Sequence, residues 1–137
     1  MSERALVNIL YVEDDPNMRM LVELTLIEGG FNVEVCERWS EALTIAEIFK
    51  PDLLLLDVVL PEKDGVDTLL ALRDVEGLGE VPVIFLTVDV QLEYPKNQDA
   101  ASLGPYGMLG KPIQVETLCD LLREAWKKLV SEPVESE

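Results

Sequence analysis

The chain has 137 residues, 48% hydrophobic and 28% charged, with a formal net charge of −16 from 27 acidic and 11 basic residues. This length suits one domain over residues 1–137 with a real core, at about residues 7–130, and no second folded output domain is expected. The charge opposes binding to nucleic-acid phosphates; no apolar run approaches the ~20 residues of a membrane span, and Met1-Ser2-Glu3-Arg4 lacks a signal-peptide profile, so a cytoplasmic protein is expected.

Histidine is absent, which excludes Ser-His-Asp and Cys-His catalysis, histidine metal ligands and any role as a phosphohistidine donor. Cys36 and Cys119 are the only cysteines; neither their number nor their spacing suits a disulfide framework or a zinc site, and both read as core residues.

The first strand falls at about residues 8–12, on the apolar run Ile9-Leu10-Tyr11-Val12, and leads into Glu13-Asp14-Asp15. Asp15-Pro16 supplies a cap and a first-turn proline for a helix to about Glu28, stopped by Gly29-Gly30. A second strand follows at about residues 32–36. Ser40 then reads as the N-cap of a helix through Phe49, ended by Lys50-Pro51. The third strand, at about residues 52–57, is built on Leu53-Leu54-Leu55-Leu56 and closes on Asp57; Val58-Val59-Leu60-Pro61 and Asp64-Gly65 come next.

A third helix is predicted over about residues 66–75, carrying Leu69, Leu70 and Leu72 and broken by Gly77 and Gly79. The run Val83-Ile84-Phe85-Leu86 is a fourth strand, closed by Thr87. Residues 89–104 depart from the alternation, because Tyr94-Pro95 interrupts the first half and leaves room for only a short helix near residues 97–103. A fifth short strand lies around Met108-Leu109, just before Lys111-Pro112. In the last helix, at about residues 114–130, Val115, Leu118, Cys119, Leu122, Ala125, Trp126 and Leu129 recur at three- and four-residue spacings as one core-facing stripe. The tail 131–137 is polar.

Strands alternating with amphipathic helices define βαβ units around a parallel sheet, a doubly wound α/β fold. Parallel strands bring their acidic ends to one edge, where Glu13, Asp14 and Asp15 would meet Asp57 in one pocket. A carboxylate closing a buried apolar strand is costly without compensation, and several together read as a site for a hard divalent cation. Thr87 and Lys111, a hydroxyl and an ammonium at neighbouring strand ends, suit an anion of three terminal oxygens, a phosphoryl group.

These residues in this order resemble the receiver domain of two-component response regulators: Glu13-Asp14, Asp57 with Pro61 and Asp64-Gly65, Thr87, and Lys111-Pro112. The resemblance covers about residues 7–130 and implies a CheY-like, flavodoxin-like five-stranded parallel sheet of order 2-1-3-4-5 with helices on both faces. It implies further that Asp57 takes a phosphoryl group from the phosphohistidine of a histidine kinase or histidine phosphotransfer protein. Mg²⁺ would be held by Asp14, Asp57 and the Val59 backbone carbonyl, with Glu13 acting through a water. Thr87 would hydrogen-bond the phosphoryl oxygen, Lys111 would ion-pair with it, and the Lys111-Pro112 peptide would be cis. Asp15 is expected to cap the first helix rather than bind metal. The implied protein is a signalling receiver, not an enzyme acting on other substrates. It would be a monomer or weak homodimer, and would reach an unknown downstream target through protein contacts.

Three features depart from the family pattern. Val59 and Asp89 stand where residues influence hydrolysis of the acyl phosphate, and Val59 offers no polar group to orient a water. Val88 replaces a usual alanine or glycine, which would narrow the pocket mouth. Met108 replaces the usual switch tyrosine or phenylalanine, which turns attention to a backbone change within residues 89–104 as the output. A receiver-like docking module independent of phosphorylation is the competing reading. A haloacid dehalogenase-type phosphatase is disfavoured because its second aspartate would fall at Val59, and flavin binding because the first strand leads into carboxylates.

Overall fold

In a computed structural model of the chain, residues 7–58, 65–88 and 104–131 are described. The strands are β1 (Asn8–Val12), β2 (Asn32–Cys36), β3 (Leu53–Asp57), β4 (Val83–Thr87) and β5 (Tyr106–Gly110). The helices are α1 (Pro16–Glu28), α2 (Trp39–Phe49), α3 (Gly65–Arg73) and α4 (Val115–Ser131). The strands form one parallel five-stranded sheet in the order β2-β1-β3-β4-β5, the expected doubly wound, flavodoxin-like order. No described helix is long and apolar enough to cross a membrane.

The unbroken apolar runs follow from burial on both faces. Every residue of β3 and β4 is buried, and successive side chains enter opposite core layers. Leu10, Val12, Leu54, Leu56 and Phe85 pack with Ala42, Ala46, Leu69 and Leu72 of α2 and α3. Ile9, Tyr11, Leu53, Leu55, Ile84 and Leu86 pack with Val22, Leu26, Leu118 and Leu122 of α1 and α4. The edge strand β2 alternates exposed and half-buried positions, so its weaker apolar pattern reflects a lost neighbour.

Asp15 caps α1 as its position suggested: its Oδ1 accepts from the backbone N–H groups of Asn17 and Met18 at 2.9 and 3.3 Å. Ser40 does not cap α2. The helix begins at Trp39 with Arg38 at the N-cap and no side-chain bond from it; instead Glu41 reaches back to accept from the N–H of Glu37 at 3.1 Å. Ser40 is the second residue of the helix, past the position from which a hydroxyl caps. α3 closes at Arg73, two residues before the predicted end, where the guanidinium leaves the helix line to donate to the carbonyls of Leu78, at 2.9 Å, and Val81. The expectations for Val59, Pro61, Asp64, Asp89, residues 89–103 and most of the tail lie outside the described residues.

Of the two glycines that stop α1, only Gly30 adopts a left-handed conformation, at φ 96°, while Gly29 is there for space. A methyl group on Gly29 would overlap Sγ of Cys119 on α4, whose thiol donates to the carbonyl of Thr25. Gly29→Ala should therefore lower stability by about 1–3 kcal/mol through overpacking. Urea unfolding checks this, and Cys119→Ala in the same chain should recover part of the loss.

Candidate functional site

Parallel register carries the ends of the central strands to one edge. Val12 lies opposite Leu56, Asp57 opposite Leu86 and Thr87 opposite Gly110, so residues just after each strand face one another. The resulting cleft, about 400 Å³, is lined by Glu13, Asp14, Asp15, Asp57, Val58, Thr87, Val88 and Lys111. Glu13, Asp57 and Thr87 are buried and Asp14 is exposed. The backbone N–H of Lys111 donates to the carbonyl of Thr87 at 2.7 Å, and the Lys111-Pro112 peptide is cis. From there Nζ of Lys111 reaches Oε1 of Glu13 at 3.4 Å and forms a short ion pair with Oδ2 of Asp57.

Ligand oxygens of Glu13, Asp14 and Asp57 all lie within 4.8 Å of one another. Burial, then the charge of Asp57, pushes Glu13 above the ordinary carboxylate range, against the pull of Lys111. Burial alone would lower Lys111, but its hydrogen bond and charge interaction with Asp57, joined by Glu13, raise it above the usual lysine range, so it stays cationic. Among the described residues, one ammonium beside three carboxylates leaves negative charge to be neutralised. A cluster of hard oxygens, two of its residues buried, fits a divalent cation such as Mg²⁺.

Every described site residue expected from the sequence arrives at the cleft: Glu13, Asp14, Asp57, Thr87 and Lys111. Val59 falls outside the described residues. Glu13 differs in character from a loosely held outer acid, since its Oε2 accepts from the N–H of Asp15 at 3.3 Å and its Oε1 accepts from the phenol of Tyr11 at 3.1 Å. Arg19 donates to the Glu13 carbonyl at 2.8 Å. Sequence reading missed Tyr11 and Arg19. A signal for Tyr11 existed, because a polar-tipped residue two places before an acid in a strand lies on the same face. Val88 stands 82% exposed at the mouth, and Met108, opposite Phe85, is half-buried against the α2/α3 core layer.

The sheet order and the acidic cleft facing a lysine together define a class: doubly wound domains that gather carboxylates and an ammonium at the C-terminal strand edge. The model of the response regulator receiver domain matches residues 9–123, and the chain belongs to that family. It is a receiver domain of the kind found in two-component response regulators.

A probable transcriptional regulator, ycf29, from Porphyra purpurea is 34% identical over 116 residues, covering 85% of this chain and 54% of that protein. The DNA-binding response regulator MtrA of Mycolicibacterium smegmatis is 34% identical over 132 residues, covering 93% and 54%. The chain thus spans about half the length of these relatives. The chemotaxis protein CheY4 of Vibrio cholerae superposes with a TM-score of 0.79 at 30% identity, covering 88% of this chain and 99% of that one. The receiver domain of the sensor histidine kinase PA1611 of Pseudomonas aeruginosa, solved with magnesium coordinated in its active-site cleft, gives 0.74 at 28% identity, covering 90% and 99%.

The raised Glu13 has a consequence for stability. A group that holds its proton more tightly when folded contributes most below its unfolded value, near ~4.3 for glutamate, and that contribution is lost as pH rises past it. Glu13→Gln should therefore melt higher than the unsubstituted protein at pH 7.5 in cation-free buffer. Circular dichroism melts should show the difference closing as pH falls to 4, and narrowing at pH 7.5 when Mg²⁺ is added.

Proposed function

We propose that Asp57 accepts the phosphoryl group, and that a histidine kinase or histidine phosphotransfer protein supplies it. The observation that carries this reading is the setting of Asp57, buried at the end of β3, paired with Lys111 and flanked by Glu13 and Asp14. A carboxylate oxygen of Asp57 attacks phosphorus, the phosphorus–nitrogen bond to the donor imidazole breaks, and an acyl phosphate forms as the imidazole leaves with the bond's electron pair. The transition state is loose, so positioning and neutralisation of charge supply most of the acceleration.

Asp14, Asp57 and the Val59 carbonyl would hold Mg²⁺, with Glu13 acting through a water; the bound cation would neutralise charge on the phosphoryl oxygens. Lys111, already against Asp57, turns its ammonium to a phosphoryl oxygen once the acceptor oxygen is esterified. Thr87, at the neighbouring strand end, donates its hydroxyl to another. The chain acts in the cytoplasm as a monomer or weak homodimer and passes its state on through protein contacts; a net charge of −16 supports protein rather than nucleic-acid partners.

One observation favours the docking reading, in which the module works without phosphorylation: the switch position holds Met108, packed against the core with no hydroxyl to present. Phosphate incorporation separates the two. Incubated with acetyl phosphate or a phosphohistidine donor and Mg²⁺, the protein should gain one acid-stable, base-labile phosphate, and should gain none when EDTA is present from the start or in Asp57→Asn. Lys111→Met should slow incorporation by about 10²-fold, the scale of one missing electrostatic contact. Incorporation into Asp57→Asn at the unsubstituted level would overturn the assignment.

A further inference from the structure

Tyr11 is an aromatic residue in a strand otherwise aliphatic through its buried part, and its ring is wholly buried in the layer of Ile9, Leu55 and Leu86. A buried phenol needs a partner, and here it is Oε1 of Glu13, two residues along the same strand line, at 3.1 Å. Burial and the neighbouring Glu13 charge push Tyr11 far above the usual phenol range, so the hydroxyl remains a donor.

Both oxygens of Glu13 are therefore engaged. Oε1 receives Tyr11 and, at 3.4 Å, Lys111, while Oε2 receives the Asp15 N–H at 3.3 Å. The carboxylate is only 2% exposed and its own carbonyl is held by Arg19. Asp14, in contrast, is exposed. The three acids are close enough to share one cation, and of the three Glu13 is the one held by a phenol from the core as well as by Lys111.

We propose that Tyr11 is a positioning residue that keeps Glu13 from coordinating the cation directly, and thereby makes the cleft selective for Mg²⁺ over Ca²⁺. This rests on the metal reading above. Mg²⁺ is small, keeps several waters and is satisfied by one or two carboxylates, whereas Ca²⁺ gathers six to eight oxygens and readily adds a further, often bidentate, carboxylate. Removing the Tyr11 hydroxyl releases Oε1 from a fixed donor and gives Ca²⁺ the extra ligand it prefers. Such hydrogen bonds behind a ligand commonly decide metal affinity.

Calorimetric titration of the full chain with MgCl₂ and with CaCl₂ tests the inference, comparing the unsubstituted protein with Tyr11→Phe, which keeps the ring. The ratio of the Ca²⁺ to the Mg²⁺ dissociation constant should fall about tenfold in Tyr11→Phe, and the fall should vanish when Glu13→Gln is added. An unchanged ratio in a Tyr11→Phe protein that melts as a folded domain would overturn the inference, as would a fall that persists with Glu13→Gln. A second measurement does not depend on Tyr11→Phe folding: with Tyr11 intact, Glu13→Gln should weaken both ions through the lost charge and water-mediated contact without weakening Ca²⁺ more than Mg²⁺, and a Ca²⁺ loss clearly exceeding the Mg²⁺ loss would show Glu13 coordinating directly and overturn it. Failure of the unsubstituted protein to bind Mg²⁺ would overturn both this inference and the metal reading, whereas Mg²⁺ binding with an unaltered ratio in Tyr11→Phe defeats this inference alone.

Discussion

The structure depends on one electrostatic constraint: ligand oxygens of Glu13, Asp14 and Asp57 lie within 4.8 Å of one another, and the ammonium of Lys111 pairs with Glu13 and Asp57. Such a cluster opposes folding unless a rigid frame holds it and a partner neutralises it. The frame is the pair of central strands, whose buried apolar residues lock the backbone on which the acids sit. Stability is thus spent at one edge of the sheet and recovered in the two core layers, the usual relation between a functional site and its scaffold.

Topology makes the cluster possible. Because all five strands run parallel, residues that follow β1, β3, β4 and β5 emerge on the same side of the molecule, although Lys111 is 98 positions from Glu13. The reversal of strand order at β1 and β3 opens the cleft there, where ligands of doubly wound sheets bind. Lys111 bridges Glu13 and Asp57, so one side chain from the far strand reports on both acids.

The mouth and the output side are less conventional. Val88 is 82% exposed at the mouth of the cleft that it helps to line, while Asp57 within is buried. Met108 lies in the core layer beside Tyr106, which meets Phe85 edge-on with ring centroids 6.0 Å apart. The aromatic surface of β5 is therefore placed two residues earlier than the family position, and packs inward on β4.

The sequence by itself determined the described strands, their parallel arrangement and five of the residues that line the cleft, because doubly buried strands require continuous apolar runs and an ionisable residue ending such a run has few physical explanations. It located Asp15 as a cap because a short side chain before a first-turn proline acts on its own helix. Tertiary structure decided what depends on competition between groups. α2 begins at Trp39, one residue before Ser40, so the serine lies inside the helix instead of capping it. Gly29 serves the close approach of α4 rather than a left-handed turn, which no local pattern reveals. The restraint on Glu13 by Tyr11, Arg19 and Lys111 likewise emerged only with the fold, because hydrogen-bond partners are chosen by distance and burial, neither of which a linear pattern of residues contains.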